Sequence, residues 1–300
     1  MNKTDVLCVG EVLWDALPAG LFLGGAVFNV ACHLHEQGLN AEFASRAGND
    51  ELGREIRRRI ESRGMSARFL QTDDALATGF VIVTLDEFRS PVFDIVHPSA
   101  WDAIEISPDL VECASSARAV VFGTLAQRDA VSRRAIQTLW NTKAIRALDI
   151  NLRPPYYSRE IVEESLKHCD LLKLNDQEYE RFMEWFGIPG ELEKGAHCLE
   201  ERFGCQTLCV TRGANGAALL HKGTWCEHPG FSVRVADTVG AGDAFLAALL
   251  AEILTGAEPA RALEQANAVG AFVATQNGAT PKHDNAAIMD IIRHHAKSPA

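Results

Sequence analysis

The sequence of 300 residues predicts an α/β fold with a mainly parallel central sheet and helices on both faces of that sheet. Two observations support this prediction. Short, continuously apolar runs are typical of strands that are buried on both faces. Helical patterns alternate with these runs along the chain, as they do in parallel sheets. Because neither an internal repeat nor a low-complexity linker interrupts the pattern, we expect one elaborated domain over residues 1–300.

The apolar runs assign five strands to the predicted sheet. They span residues 6–10, 119–123, 147–151, 171–175 and 207–213, and helical patterns at 129–141 and 158–169 lie between them. Polar residues lie at or near the ends of three of these runs: Asp149 and Asn151, Asn175, and Thr211. Ligands of open α/β sheets bind beyond the carboxyl ends of the strands. The sequence therefore predicts a binding site at this edge.

One stretch, residues 78–102, departs from this rhythm. Its apolar residues alternate around the turn LDEFRSP, which predicts an antiparallel hairpin with one wet face. Together with a segment at about 11–24, it could form a small sheet that covers the site as a lid. The alternative is a simple hairpin at the edge of the main sheet.

A turn of small residues precedes the apolar helix in DTVGAGDAF, residues 237–245. The N–H groups of Gly240, Ala241 and Gly242 at the start of that helix predict an anion site, because the helix dipole favours negative charge there. Asp243 follows in the first turn. It is either a general base beside a bound phosphate or an acid that only stabilises the helix dipole.

Composition excludes several classes of partner. A formal net charge of −11 argues against nucleic acid and anionic membranes, and no apolar stretch is long enough for a membrane span. The first ten residues lead into a short strand, so we expect no secretion signal.

The eight cysteines are scattered along the chain. A zinc site at His197, Cys198, Cys205 and Cys209 is the alternative to buried free thiols. Since Cys209 lies in an apolar strand and the spacing fits no common site, we favour free thiols and a reducing compartment, the cytoplasm.

DTVGAGDAF resembles the C-terminal signature of the pfkB, or ribokinase-like, carbohydrate kinases. Other motifs resemble this family along the whole chain: GEVLWD (10–15), GGAVFNVACHLHEQG (24–38), RAGNDELG (46–53), LNDQE (174–178) and VTRGANGA (210–217). DINLRPPYY (149–157) resembles the fructokinase and 2-keto-3-deoxygluconate kinase branch. The resemblance implies a ribokinase-like three-layer α/β/α fold with a small β-sheet lid.

The resemblance also implies the residues that bind ATP and catalyse transfer. Asp243 would be the base, and Gly240, Ala241 and Gly242 would donate N–H groups to the transferred phosphoryl group. Mg²⁺ would be held through water, and the remaining nucleotide contacts would come from the strand ends and a late helix. These residues are Asn175 and Glu178 for Mg²⁺ and phosphates, Thr211, Gly213 and Gly242 for ATP, and Asn267 for adenine. Asn267 is alternatively an ordinary polar residue within a helix.

Sugar contacts are implied at Asp15, Gly25 and Asn29, since sugar hydroxyls both donate and accept hydrogen bonds. Asp15 is alternatively a turn residue, and Asn29 a helix-start residue. Arg153 would bind the sugar or the phosphates, or else pair with a structural acid such as Asp149.

The family often binds a monovalent cation, K⁺, beside the anion site. Asp237 and backbone carbonyls near four further residues match those positions. The four are Val239, Val273, Gln276 and Gly278.

One departure bears on the substrate. Where this branch usually has an arginine in the lid segment, the chain has His97 in VHPSAWD. Histidine is mostly neutral near pH 7, which favours a neutral sugar such as fructose. Arg89 or Arg153 is an alternative source of the positive charge, and His97 is alternatively structural.

Three other functions are alternatives to a sugar kinase of this family. A dinucleotide-dependent dehydrogenase lacks its G-x-G-x-x-G after the first strand, and a P-loop kinase lacks its own glycine motif. A sugar-sensing protein without turnover would be expected to lose the acid or the glycine turn, and both are present.

An uncovered lid sheet could also pair across a two-fold axis, which allows a homodimer.

Overall fold

A computed structural model describes residues 4–17, 20–85 and 91–295. The strands are β1 (Val6–Val9), β2 (Leu13–Leu17), β3 (Gly20–Gly24), β4 (Ala41–Gly48), β5 (Leu70–Asp73), β6 (Gly79–Leu85), β7 (Pro91–Ile95), β8 (Ala119–Gly123), β9 (Ile145–Asp149), β10 (Leu171–Asn175), β11 (Thr207–Thr211), β12 (Ala217–His221) and β13 (Thr224–His228). The helices are α1 (Ala26–Glu36), α2 (Glu51–Ser62), α3 (Pro108–Ser116), α4 (Ala130–Leu139), α5 (Arg159–Leu166), α6 (Asp176–Phe186), α7 (Leu192–Phe203), α8 (Ala241–Thr255), α9 (Pro259–Ala274) and α10 (Asn285–His295). No described helix combines the length and apolar character that crossing a membrane requires.

A nine-stranded sheet forms the centre of the protein, in the order β13-β12-β11-β10-β9-β8-β1-β4-β5. Its pairs are parallel except at one edge, where β12 is antiparallel to both β11 and β13. All five strands that the sequence predicts belong to this sheet, and the predicted α/β class with a mainly parallel sheet is confirmed.

Side chains of β1 show why its sequence is continuously apolar. Leu7 and Val9 pack on one face of the sheet with residues of α3 to α7, whereas Val6 and Cys8 pack on the other face with residues of α1, α2 and α8. All four are fully buried. The chain therefore has the three-layer α/β/α arrangement that the resemblance implies.

Four strands form a second, smaller sheet in the order β3-β2-β6-β7. The pairing of β6 with β7 is antiparallel, which confirms the predicted hairpin, and its parallel pairing with β2 replaces the alternative of an edge hairpin on the main sheet. Val81 is 4% exposed and its neighbour Ile82 is 42% exposed, so one face is buried and one is wet. Residues 86–90 of the predicted turn, with Arg89, lie outside the described residues.

Arg128 ties the small sheet to the main body. Its guanidinium lies between the rings of Trp101 and Tyr156, 3.9 and 4.6 Å from their centroids. The same group donates to the Val96 carbonyl at 2.8 Å and to both oxygens of Asp102 at 2.7 Å. A charge held in this way by cation–π and ionic contacts fixes the end of β7.

Candidate active site

The turn before α8 is built on close backbone contact. Gly240 has a φ of 78°, and a Cβ atom there would lie 2.2 Å from the carbonyl oxygen of Ala279. Only glycine satisfies both conditions. Ala241 then starts the helix, and Asp243 lies in its first turn as predicted. The amides at this helix start form the kind of site that binds anions.

Asp243 is half-buried and receives a hydrogen bond from the Asn29 side-chain amide, whose nitrogen lies 2.8 Å from Asp243 Oδ2. Burial, and after it the charge of Asp149, raises the pKa of Asp243 to about 6. Lys173, the Asn29 amide and Arg153 oppose the rise. The carboxylate is therefore mainly ionised at pH 7 and has a pKa suited to accepting a proton near that pH.

Lys173 lies directly below the turn and is not among the residues predicted from the sequence. Its ammonium nitrogen is 3.0 and 3.1 Å from the two oxygens of Asp149, its register partner on β9. A Cβ atom on Gly242 would be 3.2 Å from that nitrogen. Burial disfavours the charge, but Asp149, Asp243 and Glu178 together raise the pKa of Lys173 above its usual value. A lysine inside the apolar run LLKLN was the available signal.

Glu11 is a second site residue that is not among those predicted from the sequence, although it follows the first strand in GEVLWD. Gly25 precedes α1 without a side chain that could cap it, and Glu11 Oε1 accepts from the Ala26 N–H at 2.9 Å instead. Glu11 Oε2 is buried and has no hydrogen-bond partner among the described residues. Burial raises the pKa of Glu11 to about 7, backbone N–H groups oppose this, and Asp243 adds to it.

Three predicted sugar ligands lie around these acids. Gly25 has a φ of 120°, and a Cβ atom there would lie 2.4 Å from the Glu11 carbonyl oxygen. Burial raises the pKa of Asp15 to about 6, and Arg153 opposes the rise. Since Arg153 also lowers the pKa of Asp243, its exposed guanidinium acts on both carboxylates.

His97 is placed differently from the other predicted sugar ligands. Its Nε2 lies 2.8 Å from Asp129 Oδ2, and its ring faces Tyr156 at 6.3 Å between centroids. These residues line a cavity of about 400 Å³, and Asp15, Gly25, Asn29 and Arg153, all of them described, do not line it. Asp102 completes a possible metal-ligand group with His97 and Asp129, but both of its oxygens are bound by Arg128.

Asn175 and Glu178 form a capping box at the start of α6. Asn175 Oδ1 accepts from the Glu178 N–H at 2.9 Å, and Glu178 Oε2 accepts from the Asn175 N–H at 2.8 Å. Glu178 Oε1 accepts from the Leu152 N–H at 2.8 Å. Burial raises the pKa of Glu178, with Lys173 opposing it. Carboxylate and amide oxygens are ligands that suit Mg²⁺, and each keeps a further lone pair, so the predicted Mg²⁺ role fits these residues.

The predicted nucleotide residues occupy two places. Thr211 ends β11, and Gly213, with a φ of 56°, begins a short 3-10 turn just beyond it. Asn267 is 8% exposed in α9, and its amide donates to the Leu263 carbonyl one turn earlier at 2.8 Å. This contact matches the alternative of an ordinary helical residue, and the adenine contact stays a prediction.

The residues predicted for a monovalent cation lie in two adjoining segments. Asp237 accepts from the Val239 N–H at 3.0 Å and from the Gly278 N–H at 3.2 Å. The Gln276 N–H donates to the Val273 carbonyl at 2.9 Å, where α9 ends. Asp237 therefore joins the turn before α8 to residues 273–278.

The cysteines match the preferred reading of the sequence. All eight are free thiols, six of them buried, and no zinc-type cluster of His and Cys occurs within residues 4–17, 20–85 and 91–295.

Comparisons with known proteins agree with this architecture. Residues 10–286 match the pfkB family of carbohydrate kinases. A maize (Zea mays) protein, fructokinase-2, is 30% identical over 313 residues, which cover 92% of this chain and 90% of the maize protein.

Solved structures share the fold. Fructokinase of Xylella fastidiosa with bound ATP superposes with a TM-score of 0.84 at 22% identity, over 98% of this chain and 100% of that one. Fructokinase of Vibrio cholerae with fructose, ADP and calcium superposes with a TM-score of 0.82 at 24% identity, over 97% and 99% of the two chains.

Replacing Glu11 by Gln tests the cost of burying this acid. Because its pKa rises from 4.5 to about 7 on folding, the ionised carboxyl destabilises the folded protein above pH 7, and the cost is lost as the pH falls toward 4.5. Gln keeps an oxygen for the Ala26 N–H. We expect the variant to be more stable than the wild type by up to ~3 kcal/mol at about pH 8, and by much less at about pH 5.

Urea unfolding at both pH values measures this difference. Glu61→Gln, which removes an exposed acid on α2, is the control and should change stability equally little at both. A Glu11→Gln variant whose stability relative to the wild type does not change with pH contradicts the expectation.

Proposed function

The chain belongs to the pfkB family of carbohydrate kinases, and we propose that it transfers the γ-phosphoryl group of ATP to fructose. The observation on which this rests is the meeting of three groups at one sheet edge. These are the turn at 240–242, the base Asp243 and the buried cation Lys173. The choice of fructose is supported by relatives named fructokinase and by the absence of an arginine at position 97.

In the proposed reaction, Asp243 takes the proton of the acceptor hydroxyl as that oxygen attacks the γ-phosphorus. The bond from the γ-phosphorus to the β–γ bridging oxygen breaks, and ADP leaves. Amides of Gly240, Ala241 and Gly242 stabilise charge on the transferred group, and Lys173 adds a positive charge beneath them. Asn29 keeps the carboxylate oriented through its hydrogen bond.

The sugar would lie between the two sheets, against Asp15, Gly25 and Asn29. Carboxylate and amide groups bind sugar hydroxyls as both donors and acceptors. Segments 11–24 and 78–102, as the small sheet, would cover it and exclude water. In this proposal His97 does not contact the sugar. Its contact with Asp129 instead holds the chain just after β7, the edge strand of the small sheet.

ATP would extend from the turn along the ends of β10 and β11, past Thr211 and Gly213 toward Asn267. Asn175 and Glu178 would hold Mg²⁺ through water, and the ion would neutralise phosphate charge. K⁺ would bind near Asp237 and the carbonyls of the adjoining segments. The fructokinase of Vibrio cholerae was solved with fructose, ADP and a calcium ion, which supports a role for a divalent ion beside the nucleotide.

A second copy of the chain is the proposed partner of the small sheet. Leu21 and Ile82 flank Ala16 across three strands on its wet face, and they are 46% and 42% exposed. Apolar side chains on an open sheet face favour pairing about a two-fold axis. By analytical ultracentrifugation we expect the wild type to be a dimer and the Ile82→Glu variant to be a monomer. A wild type that is monomeric at micromolar concentration contradicts the proposal.

Replacing Asp243 by Asn tests the base. Asn cannot accept the proton, so we expect kcat to fall by about 10²–10⁴-fold while ATP affinity stays within a few-fold. A coupled ADP assay and calorimetry measure the two quantities. Asp109→Asn, also in the first turn of a helix, is the control and should be fully active. Undiminished turnover of Asp243→Asn would refute the assigned role.

The acceptor is tested by a panel of fructose, 2-keto-3-deoxygluconate, ribose and tagatose. A ketodeoxy acid is the second candidate acceptor. Within the described part of the chain, the Arg153 guanidinium makes one hydrogen bond, to the Leu152 carbonyl, so its other N–H groups could bind a substrate carboxylate. We expect the highest kcat/KM for fructose. Replacing Arg153 by Met should then reduce kcat/KM less for fructose than for the acid.

A higher kcat/KM for the acid, with a loss of about 100-fold on Arg153→Met, would reassign the substrate, since an unpaired carboxylate costs several kcal/mol.

Omitting Mg²⁺ and replacing K⁺ by tetramethylammonium in the same assay tests both ions. Activity that is unchanged without either ion contradicts the proposed ion sites.

A further inference from the structure

Two histidines in contact, the buried His33 and the half-buried His283, lie behind the turn and have no part in the proposed reaction. His33 is completely buried in α1. Its Nδ1 is 2.9 Å from His283 Nε2, and its Nε2 is 2.9 Å from the carbonyl oxygen of Ala279. The two rings stack with their centroids 5.1 Å apart.

The protons of this pair follow from its partners. A carbonyl oxygen only accepts, so His33 Nε2 carries a hydrogen and donates it to Ala279. His33 Nδ1 of the neutral ring then accepts from His283 Nε2–H. Burial, and after it His283, lowers the pKa of His33 to about 3, although the Ala279 carbonyl opposes this. His33 is therefore neutral at pH 7, with one tautomer selected.

Ala279 connects the pair to the turn. Its carbonyl oxygen, which accepts from His33, would lie 2.2 Å from a Cβ atom on Gly240, and its Cα atom would lie 2.7 Å away. The Ala279 peptide therefore packs directly against Gly240. Two further contacts hold the same segment: Gly278 N–H donates to Asp237, and Arg63 donates to the carbonyl and hydroxyl of Thr280.

α1 also carries the group that orients the base. Asn29 and His33 are four residues apart, which places them on the same face of the helix. One contacts Asp243, and the other contacts the segment that supports Gly240. A single rigid helix thus sets the position of the carboxylate and of the amides together.

We propose that the His33–His283 pair is a positioning element of phosphoryl transfer, which holds Ala279 against Gly240 and so fixes the amides of residues 240–242 relative to Asp243. This inference rests on the proposed function, because it assigns those amides to the transferred group. Small displacements of such donors cost rate rather than sugar affinity, since the proposed sugar contacts lie on β2 and at the start of α1 and not in the segment around Ala279.

The decisive experiment compares His33→Leu with His33→Gln. Leu fills a similar volume but donates nothing to Ala279, whereas Gln places an amide nitrogen near the position of Nε2 and can still donate. With fructose and ATP we expect His33→Leu to lower kcat about 10-fold or more with a sugar KM within about 2-fold, and His33→Gln to recover most of kcat. Hydrogen–deuterium exchange of residues 238–243 should be faster in His33→Leu than in the wild type.

His221→Leu is the matched control. His221 Nδ1 lies 2.8 Å from the Thr207 hydroxyl at the start of β11, at the sheet edge opposite the site. Its loss removes one partly buried histidine hydrogen bond, so we expect a lower melting temperature with unchanged kcat and unchanged exchange at 238–243. This separates general destabilisation from an effect on the turn.

The results of these experiments separate a failure of the inference from a failure of the proposed kinase function. Exchange and kcat in His33→Leu equal to the wild type overturn the inference, as do equal losses in the Leu and Gln variants. A wild type that releases no ADP with any acceptor overturns the proposed function, while the exchange comparison still tests the contact of Ala279 with Gly240. If His33→Leu does not fold, His283→Leu at its half-buried position replaces it, with a smaller loss of kcat supporting the inference and no change overturning it.

Discussion

The buried Lys173–Asp149 ion pair is the constraint on which the candidate site depends. An unpaired charge at this depth would be too costly, so the ends of β9 and β10 must stay in register. A Cβ atom on Gly242 would lie 3.2 Å from the ammonium nitrogen, so the turn before α8 packs directly against Lys173. Its charge also opposes the effect of burial on Asp243, which keeps that acid able to ionise.

Close backbone approach explains the glycines of both signature motifs. Gly25 lies against the Glu11 carbonyl and Gly240 against the Ala279 carbonyl, each at a distance that leaves no room for a Cβ atom. Both glycines also have positive φ and precede a helix. The start of α1 and the start of α8 are thereby drawn to the same place, and Asn29 reaches Asp243 across the gap. The acid and the amide-lined turn are one assembly, supported by capping at Glu11 and by the histidine pair.

Much of this could be predicted from residues alone. Continuous apolar runs predicted the central sheet, and alternating apolar residues predicted the hairpin of the small sheet. The glycine turn predicted the position of Asp243 at the start of a helix. Each of these features depends on the local sequence pattern. Lys173, Glu11 and His33 could not be recognised in the same way. A lysine in an apolar run is a signal that something must pair with it, but its role is not defined until its partner is known. Asp149 is 24 residues from Lys173 in the sequence, and His283 is 250 residues from His33. His97 is the opposite case. The sequence predicted a sugar contact for it, whereas the tertiary fold places it against Asp129.

The sequence by itself determined the α/β class, the two sheets and the family, because periodicity and motifs are properties of neighbouring residues. Only the tertiary structure decided which charges meet. Burial and pairing, not residue type, move the pKa of Asp243 and Glu11 toward neutrality and keep His33 uncharged. Those quantities depend on distances between segments that are far apart in the chain, and a linear pattern contains no such distances.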